Sequence, residues 1–564
     1  MSAQLSVYVA WIGTATRIVL PIVATLSIYL VYHGALVLYS EITSPFRAMR
    51  GPPNGSLLMG NFKQMAEKYD IEDAWRRQYG RIFKLRTLFS VPLLHVQDVK
   101  AISHMLSNGN VYQKSPVSLE NTKQVTGIGL LAVEGEDHKR HRRILNQAFG
   151  YPQIRLLTET FVEKAILLRE VWLGLLSKSP AKEQGQVIDV YLWLRRMTLD
   201  VIGQAGFNYE FDALQIRSKK PNELNEAFTQ LFHSPSSRWG IGYRLARSMV
   251  PILSLVPYPG LRTFNQVRAT MFRVGSDILA RSKGALGICV PDASRGAGSK
   301  VGLEGKRDLL SILLRANVDP DVPARQRLSD EEVISQIPTF LIAGHETTST
   351  AVSWALYALA HHPKVQRTLR EELLQMSAEN PTMDELNALP YLDLVVREFM
   401  RFHSPVTSVQ RMAMQDDLIP LASPYIDEKG NSHESLLVPK GQRIFIPLAA
   451  VNRDPEIWGD DANEFRPERW EHIPDAASAV PNVWANQLTF FAGTHNCIGF
   501  RFALVEIKAL LFVLIRAFEF ALDPTAGPTG GIVPTAGVLQ RPRSTAKATD
   551  LESSLPLMVK PYSE

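Results

Sequence analysis

The stretch FFAGTHNCIGFRFALVEIKALL, residues 490–511, places a cysteine between two glycines directly ahead of an apolar helical run. Cys497 is one of only two cysteines in 564 residues, and Gly493 and Gly499 lie on either side of it. A thiol in such a loop is a nucleophile, a metal ligand or an inert core residue. The neighbouring residues help to distinguish these roles.

Two kinds of thiol site find little support around Cys497. A nucleophilic thiol needs a base, and the fold rather than the local chain usually brings the two together. His495 stands only two residues away. A structural zinc ion takes about four ligands, often from cysteine pairs, and no second cysteine lies nearby. A single thiolate can instead hold a haem iron from one side.

The residues around Cys497 suit a thiolate that holds haem. Gly493 and Gly499 let the loop lie close against a flat macrocycle, and the phenylalanine pair 490–491 can shield the sulfur from water. The following helix points its N-terminus at the sulfur, where the helix dipole stabilises negative charge. Ala503 is small where this helix must approach the ring. Haem ligation therefore fits better than the other roles.

This loop resembles the haem-binding loop of the cytochrome P450 superfamily, F-x-x-G-x-R-x-C-x-G. Phe490, Gly493, Cys497 and Gly499 match the pattern, and Ala503 matches the next small position. The resemblance implies a haem b whose iron is held by the cysteine thiolate. It covers residues from about 50 to 525, because three further motifs occur in the family's order.

The resemblance also implies contacts to the haem propionates, with two departures from the family's residues. His495 stands where the family usually has Arg, and His138 replaces the Trp of W-x-x-x-R, whose Arg is kept as Arg142. Arg411 stands where the family often has another propionate contact. A histidine in such a place is neutral or cationic depending on its surroundings, so the charge of these contacts does not follow from the motif.

A second motif, FLIAGHETTST at residues 340–350, lies inside a long helical pattern. Ser329 and Glu332 form a capping box ahead of it, and the pattern runs to Pro363, about 50 Å at 1.5 Å per residue. Glycine, histidine and threonine in mid-helix lower the helix propensity. Threonine hydroxyls can also bond back to carbonyls and open the helix locally.

This segment matches the family's A-G-x-[D/E]-T-[T/S] residue for residue. The resemblance implies that Thr347 hydrogen-bonds dioxygen or its water, and that Glu346 helps to relay protons. A hydroxyl and a carboxyl group one residue apart can feed protons to a distal oxygen.

The third motif predicts a scaffold rather than a catalyst. Glu398 and Arg401 are three residues apart on one helix face, which alone could be a surface pair of little energetic weight. The family's E-x-x-R pairs with a further arginine, and the stretch EFRPERW supplies Arg469. The resemblance implies a carboxylate–guanidinium cluster that locks the cysteine loop.

Basic residues in the stretch GEDHKRHRRILNQAF have two interpretations. Lys139, Arg140 and Arg143 form either a solvated face or a contact with an electron donor. The formal net charge of the chain is +5, with no concentrated basic stripe, so a nucleic-acid partner is not expected.

The chain's two cysteines make no disulfide framework and suit a reducing compartment. Cys289 receives no role.

The N-terminal region predicts a membrane anchor. Ile18–Ser40 is 23 residues long without a formal charge, enough to cross a hydrocarbon core of about 30 Å, although a buried core helix is an alternative. More basic residues follow this stretch than precede it, which predicts that the chain after residue 40 lies in the cytosol. Asn54 stands in a glycosylation sequon that a cytosolic body leaves unmodified.

Helical periodicity dominates the body, with helices predicted over 158–176, 190–207 and 353–376 and strands within 81–96 and 443–451. Gly- and Ser-rich composition predicts mobile insertions at Lys283–Lys306 and Ser423–Ser435. The apolar stretch Ser234–Leu261 is either a membrane-surface contact or a buried loop.

The expected fold is mainly α with a small β lobe. Its parts are a lumenal N-terminus (1–17), a transmembrane anchor (18–40), a Pro/Gly hinge (41–60) and a haem-thiolate monooxygenase domain (61–564). The resemblance implies a microsomal enzyme of fungal type in the endoplasmic reticulum membrane, with its catalytic domain facing the cytosol.

The implied reaction inserts one atom of dioxygen into a lipophilic small molecule, such as a terpenoid, a steroid or another secondary metabolite. Electrons come from NADPH through a flavoprotein reductase, which is a separate protein because no G-x-G-x-x-G motif occurs in the chain. A cytochrome b-type donor is a further source of electrons. Two alternatives are a haem-thiolate isomerase or dehydratase acting on a peroxide, and a non-catalytic haem-based sensor.

Overall fold

The computed structural model describes residues 42–56, 59–68, 71–87, 90–178, 185–215, 261–287, 308–527, 529–535, 537–545 and 553–563, with isolated positions between 20 and 39 and between 223 and 227. Cys289 lies outside these residues, as do nearly all of the predicted membrane-surface segment Ser234–Leu261 and most of the predicted insertion Lys283–Lys306.

The described part of the chain is mainly helical with small β-sheets, which confirms the expected fold class of the body. In chain order its α-helices are α1 (Phe62–Glu67), α2 (Ile71–Tyr79), α3 (Val99–Ser107), α4 (Pro116–Thr126), α5 (Gly135–Ala148), α6 (Tyr151–Leu176), α7 (Val190–Phe207), α8 (Leu261–Ala285), α9 (Leu309–Val318), α10 (Asp330–His361), α11 (Pro363–Gln375), α12 (Met383–Asn387), α13 (Pro390–Phe402), α14 (Leu448–Val451), α15 (Pro455–Trp458), α16 (Asp475–Ser478) and α17 (Phe500–Ala517).

The strands form one larger sheet and three small ones. They are β1 (Ile82–Arg86), β2 (Pro92–Val96), β3 (Tyr112–Gln113), β4 (Gln186–Asp189), β5 (Val409–Ala413), β6 (Asp417–Ile426), β7 (Ser432–Val438), β8 (Arg443–Ile446), β9 (Phe518–Leu522), β10 (Ile532–Pro534), β11 (Pro542–Ser544) and β12 (Pro556–Pro561). The larger sheet has the order β1-β2-β8-β5-β3, with β2 and β8 parallel and the other pairs antiparallel. Strand β12 lies between β4 and β9 and so ties the C-terminal residues to the helical body.

The long helix α10 runs through the centre of the helical core. It begins at the predicted capping box, since Ser329 Oγ accepts from Glu332 N at 3.3 Å and the Glu332 carboxylate accepts from Ser329 N at 2.8 Å. Most of its residues are buried against α7, α8 and α17. Each large apolar side chain buried there contributes about 1.5–3 kcal/mol, which outweighs a glycine penalty of about 1 kcal/mol at Gly344.

The predicted helices agree with the structure, with one boundary added. Residues 158–176 fall within α6, and residues 190–207 coincide with α7. The segment 353–376 is divided between α10 and α11, because Pro363 begins a new helix and disfavours the helical conformation of His362. The His362 backbone has φ −122° and ψ 72°.

The predicted strands within 81–96 are confirmed as the antiparallel pair β1 and β2. The predicted mobile insertion Ser423–Ser435 is wrong, because β6 and β7 pair across it as a hairpin. The Asp427 carboxylate closes the turn by accepting from the backbone N–H groups of Lys429 and Asn431 at 2.8 Å each. The turn-forming residues therefore join two strands rather than form an irregular insertion.

The predicted anchor Ile18–Ser40 lies only partly within the described residues, and its described positions are helical. Where the structure describes the chain, no helix combines the length and the apolar character that crossing a membrane requires.

The predicted Pro/Gly hinge packs against the first strand. A Cβ atom on Gly51 would lie 2.1 Å from the carbonyl oxygen of Lys84, so the backbones approach closely there. Pro53 O accepts from Asn61 Nδ2 at 2.9 Å, and Asn54 Nδ2 donates to Ser90 Oγ at 2.8 Å. Residues 51–54 of this stretch are therefore held against β1 and the residues next to it.

Candidate active site

A close approach to helix α3 fixes the loop that carries Cys497. Gly493 has a φ of +69°, and a Cβ atom there would lie 3.0 Å from the carbonyl oxygen of Leu106. The N–H of Cys497 donates to the carbonyl oxygen of Phe490 at 2.9 Å and closes the loop on itself. Gly493 thus permits a close approach to a backbone oxygen of α3, and the predicted approach of this glycine to a macrocycle stays a prediction.

The side chain of Cys497 is exposed, although residues 490–492 of the same loop are buried. Burial of the sulfur among protein atoms raises the pKa of the thiol, while the Gly499 N–H and the Arg142 charge lower it. The sulfur is therefore deep in the protein and still open to a ligand. The Gly499 N–H and Arg142 are groups that stabilise a thiolate.

Protein packing does not explain the glycine that follows the cysteine. A Cβ atom on Gly499 would meet the Phe149 ring at 3.6 Å, an ordinary contact, and its φ of −91° suits any residue. Ala503 lies in the first turn of α17, where its N–H donates to Gly499 O at 2.9 Å. Close approach of a macrocycle therefore stays a prediction for glycine at this position.

The two histidines that replace the family's Trp and Arg form one unit. His138 and His495 stack with ring centroids 4.2 Å apart and planes inclined by 24°. His495 Nε2 lies 2.6 Å from Glu134 Oε2, and Nδ1 lies 3.1 Å from Thr494 Oγ1. Because both ring nitrogens have partners, the structure does not favour His495 as a base for Cys497.

Glu134 was missed by sequence reasoning and sets the charge of this unit. Burial raises the pKa of Glu134, but the bond to His495 and the charge of Lys114 lower it overall to about 2. Lys114 Nζ lies 3.5 Å from Glu134 Oε1. Burial first, and then the charges of His495 and Lys114, lower the pKa of His138 to about 3. His138 is therefore a neutral ring near the ion pair of Glu134 and Lys114.

Two predicted arginines lie at the same loop. Arg142 donates to Asn496, the residue before the cysteine, through a 2.6 Å bond to its carbonyl oxygen and a second bond to its side-chain oxygen. The guanidinium carbon of Arg411 lies 5.0 Å from the centroid of the Phe491 ring. Burial lowers the pKa of Arg411, and the charge of Glu134 opposes this effect.

Lys114, Arg142, Arg411 and His495, which we call the cationic cluster, lie around the Cys497 loop. Among the described residues Lys114, Arg411 and His495 share one neighbouring carboxylate, that of Glu134, while Arg142 bonds Asn496. Burial lowers the pKa of Lys114, and the charge of Glu134 opposes this effect. Arg142 and Arg411 are permanent cations, so the cluster carries excess positive charge over the single charge of Glu134. Such an excess suits a ligand with carboxylate groups. Together with the exposed thiol of Cys497, these residues fit a haem, whose propionates are carboxylates.

Helix α10 contributes the two predicted proton-handling residues. The Thr347 hydroxyl donates to the Ala343 carbonyl oxygen at 2.5 Å, so the predicted back-bonding occurs, and the helix stays α-helical around it. Glu346 is buried and accepts from Arg195, Arg541 and Tyr191. The predicted relay residues therefore lie next to each other but have different partners.

A second buried acid, Glu506 on α17, was missed by sequence reasoning. Among the described residues its two carboxyl oxygens have no hydrogen-bond partner of good geometry, although the Thr348 hydroxyl is near enough to affect its pKa. Burial raises the pKa of Glu506 well above its usual range, and the Thr348 hydroxyl lowers it by less. A lone acid in the apolar run FALVEIKALL was the signal that could have identified it.

The predicted scaffold cluster is buried, so its interpretation as a surface pair is wrong. The side chains of Glu398 and Arg401 are 0% exposed and form a bidentate pair at 2.8 and 3.0 Å. Arg469 Nε lies 3.4 Å from the same carboxylate, which also accepts from Trp470 Nε1 at 3.0 Å. A carboxylate with several cationic donors is the geometry that can stabilise a buried charge.

This cluster is connected to the cysteine loop through Asn452. Arg401 donates to the Asn452 carbonyl oxygen at 2.9 Å. The Asn452 side chain accepts from Leu488 N and donates to Thr489 Oγ1, each at 2.8 Å. Leu488 and Thr489 immediately precede Phe490, so the cluster fixes the start of the loop, as its scaffold role requires.

The basic face of α5 is smaller than the sequence indicated. Arg140 donates to the Glu332 carboxylate at 3.0 Å and to Asp137 at 3.1 Å, and so ties α5 to the first turn of α10. Lys139 and Arg143 are exposed. The exposed basic residues of this face are therefore these two, with Lys139 paired to Glu136 at 2.7 Å and Arg143 bonded to the Gln326 side-chain oxygen at 2.5 Å.

Comparison with known proteins identifies the family. The family model for cytochrome P450 matches residues 50–545. Cytochrome P450 monooxygenase 205 of Postia placenta is 47% identical over 94% of this chain and 95% of its own length. Cytochrome P450 monooxygenase 128 of the same fungus is 44% identical over 96% of this chain and 97% of its own length. Cytochrome P450 monooxygenase claQ of Ampulloclitocybe clavipes is 33% identical over 88% of this chain and 90% of its own length.

These matches cover nearly the whole chain and include the thiol loop, the Thr347 helix and the buried scaffold. They support an oxidoreductase, and the chain belongs to the cytochrome P450 family of haem-thiolate monooxygenases.

Proposed function

We propose that this protein inserts one atom of dioxygen into a lipophilic small molecule, with electrons that come from NADPH through a separate flavoprotein reductase. The observation that carries the proposal is the exposed thiol of Cys497, which lies at the N-terminus of α17 beside the cationic cluster. A bound haem supplies the reductive activation of dioxygen. The other tasks fall to residues of the chain.

The loop residues stabilise the thiolate and the cofactor's acidic edge. The Gly499 N–H and Arg142 favour the charged form of Cys497. Lys114, Arg411 and Arg142 supply the positive charge that two propionates require, while Glu134 orients His495. The stacked His138 adds a neutral surface beside these charges.

Residues on α10 and α17 handle protons. The Thr347 hydroxyl can exchange its bond to the Ala343 carbonyl oxygen for a bond to dioxygen or a water molecule. Glu346 is the adjacent carboxyl group, and Glu506 lies beside Thr348 on the opposite helix. Burial raises the pKa of Glu506 and so favours its protonated form, which has a proton to donate.

The electron donor meets the protein at α5. Lys139 and Arg143 are exposed on the helix whose Arg142 bonds the residue next to Cys497. An acidic surface on the reductase, or on a cytochrome b-type donor, complements them. This contact is expected to weaken as ionic strength rises.

The proposed substrate class and cellular site rest on the N-terminal stretch and on the relatives. The uncharged stretch Ile18–Ser40 favours anchoring in the endoplasmic reticulum membrane, with the catalytic domain in the cytosol. A membrane-anchored enzyme meets lipophilic molecules, and a terpenoid, a steroid or another secondary metabolite is the proposed class. The three relatives compared are fungal proteins named as monooxygenases, which is consistent with this class.

Isotope labelling tests the reaction. Microsomes that contain the protein and a fungal reductase are given NADPH, ¹⁸O₂ and a panel of terpenoids and steroids, beside matched microsomes with Cys497→Ser. We expect a product that carries one ¹⁸O atom, forms only with NADPH and is absent from the variant. NADPH-independent rearrangement of a peroxide would instead support the isomerase or dehydratase alternative.

A further inference from the structure

One face of helix α10 carries aromatic side chains beyond Thr347. Trp354 follows Thr347 by seven residues, and His361 follows Trp354 by seven more and ends the helix. Seven residues are close to two turns of an α-helix, so the three side chains lie on one face, and the rise from Thr347 to Trp354 is about 10 Å at 1.5 Å per residue. This face therefore leads from the position predicted for dioxygen to the C-terminal end of α10.

The rings on this face contact one another. Trp354 and Tyr357 have ring centroids 5.4 Å apart with planes at 82°. Tyr357 and His361 have centroids 4.5 Å apart with planes at 74°. We call Trp354, Tyr357 and His361 the aromatic column. In the part of the chain that the structure describes, no other tryptophan ring contacts a tyrosine ring.

The two members of the aromatic column that lose an electron most readily, the indole and the phenol, differ in burial. Trp354 is 4% exposed, and its Nε1–H donates to the Gln540 carbonyl oxygen at 2.7 Å. The Tyr357 hydroxyl donates to the Thr529 carbonyl oxygen at 3.1 Å, and this bond is exposed. The indole is thus enclosed by protein, whereas the phenol meets solvent, which can take up its proton.

Two histidines in contact with these rings are neutral. Burial, and then the charge of His362, lower the pKa of His361. His403 stacks on Trp354 with centroids 4.8 Å apart and planes inclined by 7°. Burial, and then the charges of neighbouring residues, lower the pKa of His403 to about 3. Because neither imidazole is cationic at neutral pH, neither opposes the loss of an electron from the ring that it contacts.

Another tryptophan lies beside the cysteine loop and provides a comparison. The Trp484 ring centroid is 5.7 Å from that of Phe490, whose carbonyl oxygen accepts from Cys497 N. Phenylalanine is much harder to oxidise than tyrosine, and the Trp484 ring contacts no tyrosine ring among the described residues. Trp484 therefore lacks the connection to a solvent-facing phenol that Trp354 has.

We propose that Trp354 and Tyr357 form an electron path that carries electrons from a one-electron reductant in solution, such as ascorbate, to the haem after hydrogen peroxide has oxidised it in the absence of substrate. The inference rests on the haem assignment of the proposed function and adds a second activity, the reductive removal of peroxide. Haem supports one-electron chemistry of this kind.

The electrons and protons of this reaction balance. Hydrogen peroxide takes up two electrons and two protons and leaves as two water molecules. Each electron passes from Tyr357 through Trp354, and the Tyr357 phenol releases one proton to solvent each time. Ascorbate returns one electron and one proton to Tyr357, so two ascorbate radicals form for each peroxide and the protein is unchanged.

Electron paramagnetic resonance of freeze-quenched samples tests the path. Substrate-free holoenzyme is mixed with hydrogen peroxide in the absence of ascorbate. We expect a tyrosyl radical signal in wild type that is lost in Tyr357→Phe and in Trp354→Phe, because either change interrupts the path. Tyr391→Phe and Trp484→Phe are the matched controls and should keep the signal. An equal tyrosyl signal in wild type and Tyr357→Phe, or its loss in Trp484→Phe, would overturn the proposal.

A variant that gains a signal makes the test independent of losses caused by misfolding. Tyr357→Trp keeps an oxidisable ring at the same place, so we expect a tryptophanyl radical signal in place of the tyrosyl signal. A tyrosyl signal that persists in Tyr357→Trp contradicts the proposal.

Peroxide-dependent oxidation of ascorbate measures the activity itself. We expect its rate to fall about fivefold or more in Tyr357→Phe relative to wild type, with an unchanged carbon-monoxide difference spectrum. Equal rates in the two proteins contradict the proposal. A wild type without a red-shifted carbon-monoxide band contradicts the haem assignment, whereas a normal band without a tyrosyl radical contradicts only the electron path.

Discussion

The rings of His138 and His495 stack 4.2 Å apart at the two positions where the chain departs from its family's Trp and Arg. Glu134 binds the far side of His495 at 2.6 Å, and Lys114 lies next to Glu134. The two departures therefore belong together: one histidine is held by a carboxylate, and the other covers it as a neutral ring. Lys114 adds a positive charge on the other side of Glu134.

Glu134→Gln tests this arrangement through pH. The pKa of Glu134 is lowered to about 2 from an ordinary value of 4.5, so its contribution to folding is present above pH 4.5 and is lost as pH falls towards 2. We expect the variant to be less stable by about 1–3 kcal/mol at pH 7. The difference should narrow as pH falls below 4.5.

Urea unfolding at several pH values measures this difference. Glu136→Gln is the control, because Glu136 is an exposed acid in the first turn of α5, two residues after Glu134. A difference for Glu134→Gln that grows as pH falls would contradict the assigned charge of Glu134.

Arg401→Lys tests the scaffold. Lysine keeps the charge but cannot form the bidentate pair with Glu398 or reach the Asn452 carbonyl oxygen in the same geometry. Because the pair is fully buried, we expect a loss of about 3–5 kcal/mol in stability and a low yield of haem-containing protein. Arg397→Lys on the same helix is the control, since Arg397 is partly exposed and pairs only with Asp393 among the described residues. Similar yields from the two variants would contradict the scaffold role.

Thr347→Ala tests the proton path. The variant lacks the hydroxyl, so we expect product formation to fall by about 10²-fold while NADPH oxidation continues and oxygen leaves as peroxide. Thr347→Ser should restore most of the product. Thr339→Ala is a matched control, because Thr339 makes the same backward bond, to Ser335 O, but is buried elsewhere on α10. Product per NADPH that is equal in Thr347→Ala and Thr339→Ala would exclude the role.

Glu506→Gln tests whether the buried acid is protonated. Burial raises its folded-state pKa above 4.5, so ionisation costs stability as pH rises above 4.5 towards the folded pKa. Glutamine does not ionise, and the variant should therefore gain stability relative to wild type as pH increases from 4.5 to 8. Thermal unfolding of both proteins across this range measures the effect. A wild type that gains stability over the variant with rising pH would show that Glu506 is held as a carboxylate.

Short motifs predicted the centre of the site because each lies on one loop or helix. The segment that contains Thr347 forms the predicted helix with the predicted bond back to a carbonyl oxygen, and Glu398, Arg401 and Arg469 meet as their motif implies. The partners of these residues come from distant positions and carry no local pattern. Glu134 and His495 are 361 residues apart, and Glu346 and Arg541 are 195 apart.

The hairpin of β6 and β7 shows a different reason for a wrong prediction. Gly430 and Asn431 are turn-forming residues in a polar stretch, which resembles an irregular insertion when read alone. The flanking residues Ile419 and Leu436 are buried and pair across the hairpin. Their contribution depends on tertiary packing, which overrides local composition.

The central claim is that Cys497 holds the iron of a haem as a thiolate, and the carbon-monoxide difference spectrum of the dithionite-reduced protein tests it most directly. Wild type and Cys497→Ser are compared in freshly prepared membranes. We predict a strongly red-shifted Soret band in wild type that is absent from the variant. An unshifted band in wild type, or the same spectrum from both proteins, would contradict the claim.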